Sequence, residues 1–224
     1  MKAWSNAAAI RRCLSPRRFV SNIKCFDEYE EEEQRKRIQS TEFYDKHAAQ
    51  RRYFYYIDLQ GRLFLEDAQP KNIATCLKSS AFLKFFYSRL RLNTNKEHDD
   101  EYLASYPYYS PCGKESNYVK SAAIQTPWVF QDLVVTDSSR YELILQGGIT
   151  NIFNPASVMM GSKTGRLYHA LSLPKRDCFN IGLIKSHLAI QISQYIHLEE
   201  DGLVLHWNGM EYPVLEYEEV KIKS

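Results

Sequence analysis

No stretch of this 224-residue chain stays apolar for anything near the ~18 residues that a membrane-crossing helix requires. No Asn-x-Ser/Thr sequon occurs, which argues against a secreted glycoprotein. The five cysteines (Cys13, Cys25, Cys76, Cys112, Cys178) are an odd, widely spaced set without a Cys-x-x-Cys pair, so neither a disulfide framework nor a thiolate zinc site is expected. Gly161-Ser162-Lys163-Thr164 resembles the end of a phosphate-binding loop but lacks the adjacent Gly-Lys pair and the earlier glycine, and reads as a flexible loop tip. His197-Leu198-Glu199 has the His-x-Glu of zinc deaminases, yet no cysteine follows it to complete that site. His187 and Gln191 share a helical spacing, but two residues do not make a metal centre. No metal and no cofactor is therefore expected.

Acidic residues are missing from one place in particular. Met1 to Phe26 holds six basic side chains (Lys2, Arg11, Arg12, Arg17, Arg18, Lys24) and no acid. Arginine-rich, serine-containing and acid-free, the segment reads as a mitochondrial transit peptide over residues 1–26, with Arg18-Phe19-Val20-Ser21 suited to the matrix processing peptidase. Removing those six from the 29 basic residues leaves 23 against 27 acids, a net of −4 for Asp27 to Ser224. A net acidic body disfavours general nucleic-acid binding, which needs clustered positive charge.

What the chain has in quantity is tyrosine: 16 residues, against 3 tryptophans, within an aromatic content of 13%. Tyrosine suits half-buried sheets and interfaces, because it joins a large apolar body to a polar tip. Residues 27–52 have few apolar side chains, and Glu31, Glu32 and Glu33 each precede a basic residue (Arg35, Lys36, Arg37) by four, which predicts a solvated, charged helical linker. Residues 53–217 read as a single α+β domain, with possible similar halves at 53–120 and 121–217. Residues 218–224 read as a tail. Within the domain, YFYYIDLQGRLFLED predicts a hairpin, and Asn72 to Leu92 an amphipathic helix with Ile73, Leu77, Ala81 and Phe85 at spacing four. Strands follow at Trp128 to Thr136, Arg140 to Gln146 and Leu167 to Leu173. Gly182 to His197 predicts a second helix, striped with Ile184, Leu188, Ile192 and Ile196. LVLHW-Asn208-Gly209-MEYPVLEY predicts a closing hairpin on its Asn-Gly turn. The architecture expected is antiparallel twisted sheets with two main helices packed against them.

The halves meet at Tyr102 to Lys120, YLASYPYYSPCGKESNYVK, and the candidate site residues cluster there. Cys112 lies between Pro111 and Gly113, beside Lys114, whose charge favours a thiolate nucleophile. Glu115 and Asn117 are the nearby groups that an enzyme of this kind would use. Tyr108, Tyr109, Glu115 and Asn117 are equally candidates for binding a ligand, and Arg89 and Arg91 for holding an acidic partner. No histidine is tied to Cys112 by sequence, so a half-buried turn cysteine is the plainer reading.

The strings FYYIDLQGRLFLED, FFYSRLR, YPYYSPCGKESNYV, TPWVFQDL and GLIKSHLAIQIS, in this order, resemble uncharacterised protein family 0598, a eukaryotic group with mitochondrial members; the resemblance spans roughly Tyr53 to Tyr217. It implies a soluble mitochondrial protein and carries over no catalytic residue. A fainter similarity, in the order of hairpin, helix, strand block and helix, is to a bacterial family of unknown function with a two-part α+β fold. The expected function is a non-catalytic binding or accessory protein of the mitochondrial matrix, with an unknown protein or small-molecule partner. The alternatives are an enzyme using Cys112 as nucleophile and a small-ligand carrier.

Overall fold

The computed structural model describes residues 38–94, 101–123, 125–137, 140–172 and 181–219. The expected transit peptide, the ion pairs of residues 31–37, Cys178 and residues 220–224 of the tail lie outside the described residues. Ser40 starts the first helix, α1 (Thr41–Ala49), its hydroxyl accepting from the Phe43 N–H at 3.3 Å. The helix is not solvated all round, as its charged context suggests. Phe43, Tyr44 and His47 lie against Phe54, with ring centroids 5.4, 5.8 and 5.2 Å away. Their i, i+1, i+4 spacing makes one aromatic face, and His47 is buried beneath it.

Strand β1 (Arg52–Ile57) and β2 (Leu63–Leu65) form the expected hairpin. The helix expected over Asn72 to Leu92 is confined to α2 (Ser80–Tyr87). Asn72 spends its side chain on a local turn, accepting from the N–H groups of Ala74 and Thr75, and this competes with helix before Ser79 provides a cap. Then come β3 (Arg91–Leu92), the short α3 (Glu101–Ala104), β4 (Tyr108–Cys112) and β5 (Glu115–Ser121). These strands make a five-stranded sheet in the order β2-β1-β5-β4-β3, antiparallel except where β5 returns parallel to β1.

The rest of the chain builds two further sheets. Seven strands take the order β15-β9-β10-β11-β6-β7-β8: β6 (Val129–Asp137), β7 (Arg140–Leu145), β8 (Thr150–Ile152), β9 (Val158–Gly161), β10 (Leu167–Ala170), β11 (Ile181–Ile184) and β15 (Leu215–Tyr217). The second helix, α4, covers only Ser186–Ser193, with β11 before it and a further strand after it. The first turn of the expected helix is a strand because Leu183 and Ile184 pair in parallel with Val129 and Phe130. Strands β12 (Ile196–Glu199), β13 (Gly202–Trp207) and β14 (Met210–Pro213) form a three-stranded antiparallel sheet, whose last hairpin turns at Asn208-Gly209 as expected. The fold is α+β and mostly antiparallel. It has two parts, one sheet within residues 52–121 and two within 129–217, although strand number and order differ between them.

One apolar core nonetheless runs through both parts. Tyr55, Ile57, Phe86 and Tyr108 from the first pack in a cluster with Trp128, Phe130, Leu143 and Ile184 from the second. Each such side chain contributes roughly 1.5–3 kcal/mol by leaving water. The turn Gln146–Gly148 seats the second part on α2. Gly147 sits at φ 72°, and a Cβ there would lie 2.9 Å from the Leu83 carbonyl oxygen and from Lys84 Cα.

The C-terminal strand is held in a comparable way. β15 pairs in parallel with β9, and two residues on, Glu219 turns a fully buried carboxylate into the tip Gly161–Gly165. Its oxygens accept from Lys163 N (3.0 Å), Thr164 N (2.9 Å), Thr164 Oγ1 (2.7 Å) and the Tyr168 phenol (2.6 Å). A Cβ at Gly161 would lie 2.6 Å from that carboxylate. The Gly-Ser-Lys-Thr-Gly tip is thus an anion cradle filled by the chain itself. Glu219 is a buried anchor.

Two outcomes are expected in urea titrations. Gly147→Ala loses about 2–4 kcal/mol, combining a left-handed alanine with overlap on α2, whereas Gly148→Ala, also at φ 72° but with open space beside it, loses about 1–2 kcal/mol; equal losses would show that the contact with α2 is immaterial. Burial pushes the Glu219 carboxyl up, but the donors from Thr164, Tyr168 and Lys163 outweigh it and hold the group below its ordinary value of 4.5. A depressed folded value means the stabilisation is complete above the unfolded value and is lost as pH falls through the folded one. Glu219→Gln therefore costs about 1–3 kcal/mol at neutral pH, and the gap to wild type closes in acid below pH 4.5. A gap unchanged into strong acid contradicts the anchor.

Candidate functional site

Strand alternation separates the residues singled out by sequence. On β4 and β5, cross-strand partners Tyr108–Val119, Ser110–Asn117 and Cys112–Glu115 point to the face that meets α2. Cys112 lies in the apolar core at 7% exposure, with the Ser110 hydroxyl 3.6 Å from its sulfur. Tyr55 stands near it: burial first, and the Glu115 charge after it, push its phenol up. Asn117 is fully buried and donates Nδ2–H to the Ser110 carbonyl at 2.9 Å, while Ser110 donates to the Phe86 carbonyl at 2.7 Å. Asn117 therefore ties strand to strand. Tyr108 is buried in the core as well.

Tyr109 points the other way, its phenol 3.1 Å from the Ser116 hydroxyl and its ring under the Arg91 guanidinium, 5.5 Å from the centroid. Arg89 lies over the Phe85 ring at 3.8 Å and donates towards the Phe85 carbonyl, which occupies it at the end of α2. The structure thus brings Cys112, Glu115, Asn117 and Tyr108 to one packed face. It does not join Tyr109, Arg89 or Arg91 to them.

Beneath α1 and α3, on the opposite face of the same sheet, lies a polar centre that sequence reasoning did not assign. Glu66, 4% exposed, follows β2. Its Oε1 accepts from Lys120 Nζ at 3.0 Å; its Oε2 accepts from the phenols of Tyr44 (3.1 Å), Tyr102 (3.3 Å) and Tyr106. Lys120 also lies 4.0 Å from the Tyr106 ring centroid, a cation–π position. Burial first, and the Glu66 charge after it, push Tyr44 and Tyr106 upward; burial pushes Tyr102 up to about 12, with the Tyr106 hydroxyl opposing. These phenols stay protonated at neutral pH and serve as donors. The only sequence signal was the four-residue spacing of Tyr102 and Tyr106. Nothing local pointed them at Glu66.

Residues able to hold a metal come together on the three-stranded sheet, where Glu199, His206 and Glu211 place one ligand atom each within 4.8 Å of one another.

An open groove of about 360 Å³ lies between α4 and the strands β9 to β12. Met160, Leu167, Ile184, Ala189, Ile190 and Ile196 form its apolar lining, and Arg166, Ser186 and Ser193 its polar one. α4 opens it because Leu188 and Ile192 turn into the core while Ile190 faces out at 63% exposure. Leu198, two residues beyond Ile196 on the same face of β12, is 68% exposed and extends the apolar surface. Reading Gly182 to His197 as one helix hid this groove, since it placed Ile196 in the helical stripe.

Among solved structures, the chain is similar to a DUF1285 family protein from Silicibacter pomeroyi DSS-3, with 15% identity, coverage of 72% of this chain and 79% of that one, and a TM-score of 0.43. It is also similar to a DUF1285 family protein from Shewanella baltica OS155, with 14% identity, coverage of 63% and 91%, and a TM-score of 0.39. The family model described as domain of unknown function (DUF4505) matches residues 44–218, from inside α1 to just past β15. That span takes in every strand of the three sheets, and the chain belongs to the DUF4505 family.

Proposed function

We propose that the protein is a non-catalytic binding or accessory protein of the mitochondrial matrix, related to uncharacterised protein family 0598, and that it grips an apolar segment of a partner protein in the groove beside α4. The observation that carries this reading is Ile190 standing exposed on a groove whose apolar lining includes Met160, Leu167, Ala189 and Ile196, with Leu198 continuing the surface. Contiguous exposed apolar area of this kind marks interaction sites. An open trough with an apolar outer rim suits the side chains of a helix or strand. Matrix localisation is supported by the basic, acid-free first 26 residues.

The buried polar groups support a binding role in a different way. Glu66 accepts from Lys120 and the surrounding phenols, and Glu219 from Thr164, Tyr168 and Lys163. A carboxylate so supplied is poorly placed to take a proton from a substrate. Cys112 sits among packed side chains, where a nucleophile has little access.

Ile190→Glu puts a charge on the groove without touching the core. Captured from matrix extract, a protein that wild type retains and Ile190→Glu releases, with affinity down at least about tenfold, is the expected result. Identical recovery by both, or none by wild type, sinks the proposal. The same reading predicts that Cys112, in the native protein, reacts with iodoacetamide far more slowly than the half-exposed Cys76, and at an equal rate once unfolded. Preferential native labelling of Cys112 would return the enzyme reading to the front.

A further inference from the structure

The groove is not the only surface feature of the C-terminal part. The sheet β12-β13-β14 turns one face towards the core through Leu205 and Trp207, and the other carries the opposite parity of each strand. Register decides what meets there. His206 lies directly across from Glu211 on β14; on β12, His197 and Glu199 occupy the same face, two residues apart. Four residues capable of binding metal, spread over positions 197–211, are thus assembled by three strands. The His197 ring centroid is 4.8 Å from that of His206, edge-on. Glu199 Oε1 is 2.8 Å from His206 Nε2, and Glu211 Oε1 is 3.9 Å from His206 Nδ1.

We propose that this face is a divalent transition-metal site, with Zn²⁺ the natural occupant, ligated by Glu199, His206 and Glu211 and bordered by His197. The donor set decides the class of ion. An imidazole nitrogen with carboxylate oxygens suits Zn²⁺, whereas Ca²⁺ and Mg²⁺ prefer oxygen alone. Spacing agrees: four-coordinate zinc with bonds of about 2.0–2.2 Å sets neighbouring ligand atoms roughly 3.3–3.5 Å apart. Glu199 Oε1 and His206 Nε2, 2.8 Å apart, reach that separation by opening roughly 0.5 Å. One imidazole nitrogen binds one ion, so Glu211 must rotate to join Glu199 around it. With a side chain 69% exposed, it is free to do so. Glu199 and His206 stand on strands already hydrogen-bonded in register, so little backbone order remains to be gained on binding. Three protein ligands leave a fourth position for His197 or water.

Titration of the purified chain with ZnCl₂ by calorimetry at pH 7.5, and with CoCl₂ by visible absorption, tests this directly. Wild type is expected to bind one equivalent at micromolar concentration, to give a cobalt d–d band, and to melt at higher temperature with Zn²⁺ present. His206→Ala and Glu199→Gln should each weaken binding at least about tenfold while melting normally without metal, since both side chains are surface groups. His187→Ala, which removes an exposed histidine on α4, should leave binding unchanged. Absence of micromolar binding by wild type, or binding that survives His206→Ala, overturns the proposal.

Discussion

A carboxylate taken out of water must find its donors inside the protein, and Glu66 shows how much structure that requirement recruits. Lys120 comes from β5, Tyr102 and Tyr106 from α3 and its exit, and Tyr44 from α1. Four side chains from three elements, as far as 54 residues from Glu66 in sequence, are brought to one carboxylate. The attraction between Glu66 and Lys120 does not by itself imply net stability, because desolvating both charges offsets much of it. The asymmetry matters more: with either partner missing, a bare buried charge would remain, at about 3–5 kcal/mol. Arrangements of α1 and α3 that fail to deliver their phenols are therefore disfavoured, and the aromatic cluster of Phe54, Tyr106 and Tyr118 packs in one way.

The same logic at Glu219 closes the other end of the fold. There the donors are backbone N–H groups of a tight tip, a threonine hydroxyl and one tyrosine, and the carboxylate arrives on a short edge strand. An edge strand of three residues holds weakly on ladder bonds alone. The buried carboxylate gives it a fixed end, and the strand so held covers the edge of β9. Between these two anchors, the shared core and the seating of Gly147 on α2 make the two parts a single packed body.

Local signals in the chain were sound where the physics is local. The Asn208-Gly209 hairpin appears with both residues at positive φ, 51° and 77°, as a two-residue turn demands. The cores of both helices were legible from their apolar spacing, and the two-part division from the run of elements. Their ends were not. Asn72 to Leu77 lost its helix to side-chain–backbone competition, and Gly182 to Ile184 to a parallel strand whose partner lies some fifty residues earlier. The candidate site was legible only in place. Tyr102 to Lys120 does hold the residues on which the first sheet depends, but as donors to Glu66 and as core, with Cys112 among packed side chains and not in an open cleft. Neither Glu66 nor Glu219 carries any mark of burial in its own neighbourhood. Glu219 lies in an acidic stretch and Glu66 beside Asp67, settings that normally face solvent, and only long-range pairing reveals otherwise.

That inversion bears on function. Where acids are buried, their charge is spent on holding elements together; where apolar groups such as Ile190 and Leu198 are exposed, no internal requirement explains them. Hydrophobic side chains at 63% and 68% exposure gain nothing for the isolated chain, and α4 and β12 had the option of a polar residue at the two places. The same short sheet carries His197, Glu199, His206 and Glu211 on its other face. Both faces of β12 thus carry side chains that stability alone does not require. The part of the fold least committed to the core is where interaction with other molecules is physically cheapest to build, because a substitution there disturbs neither anchor.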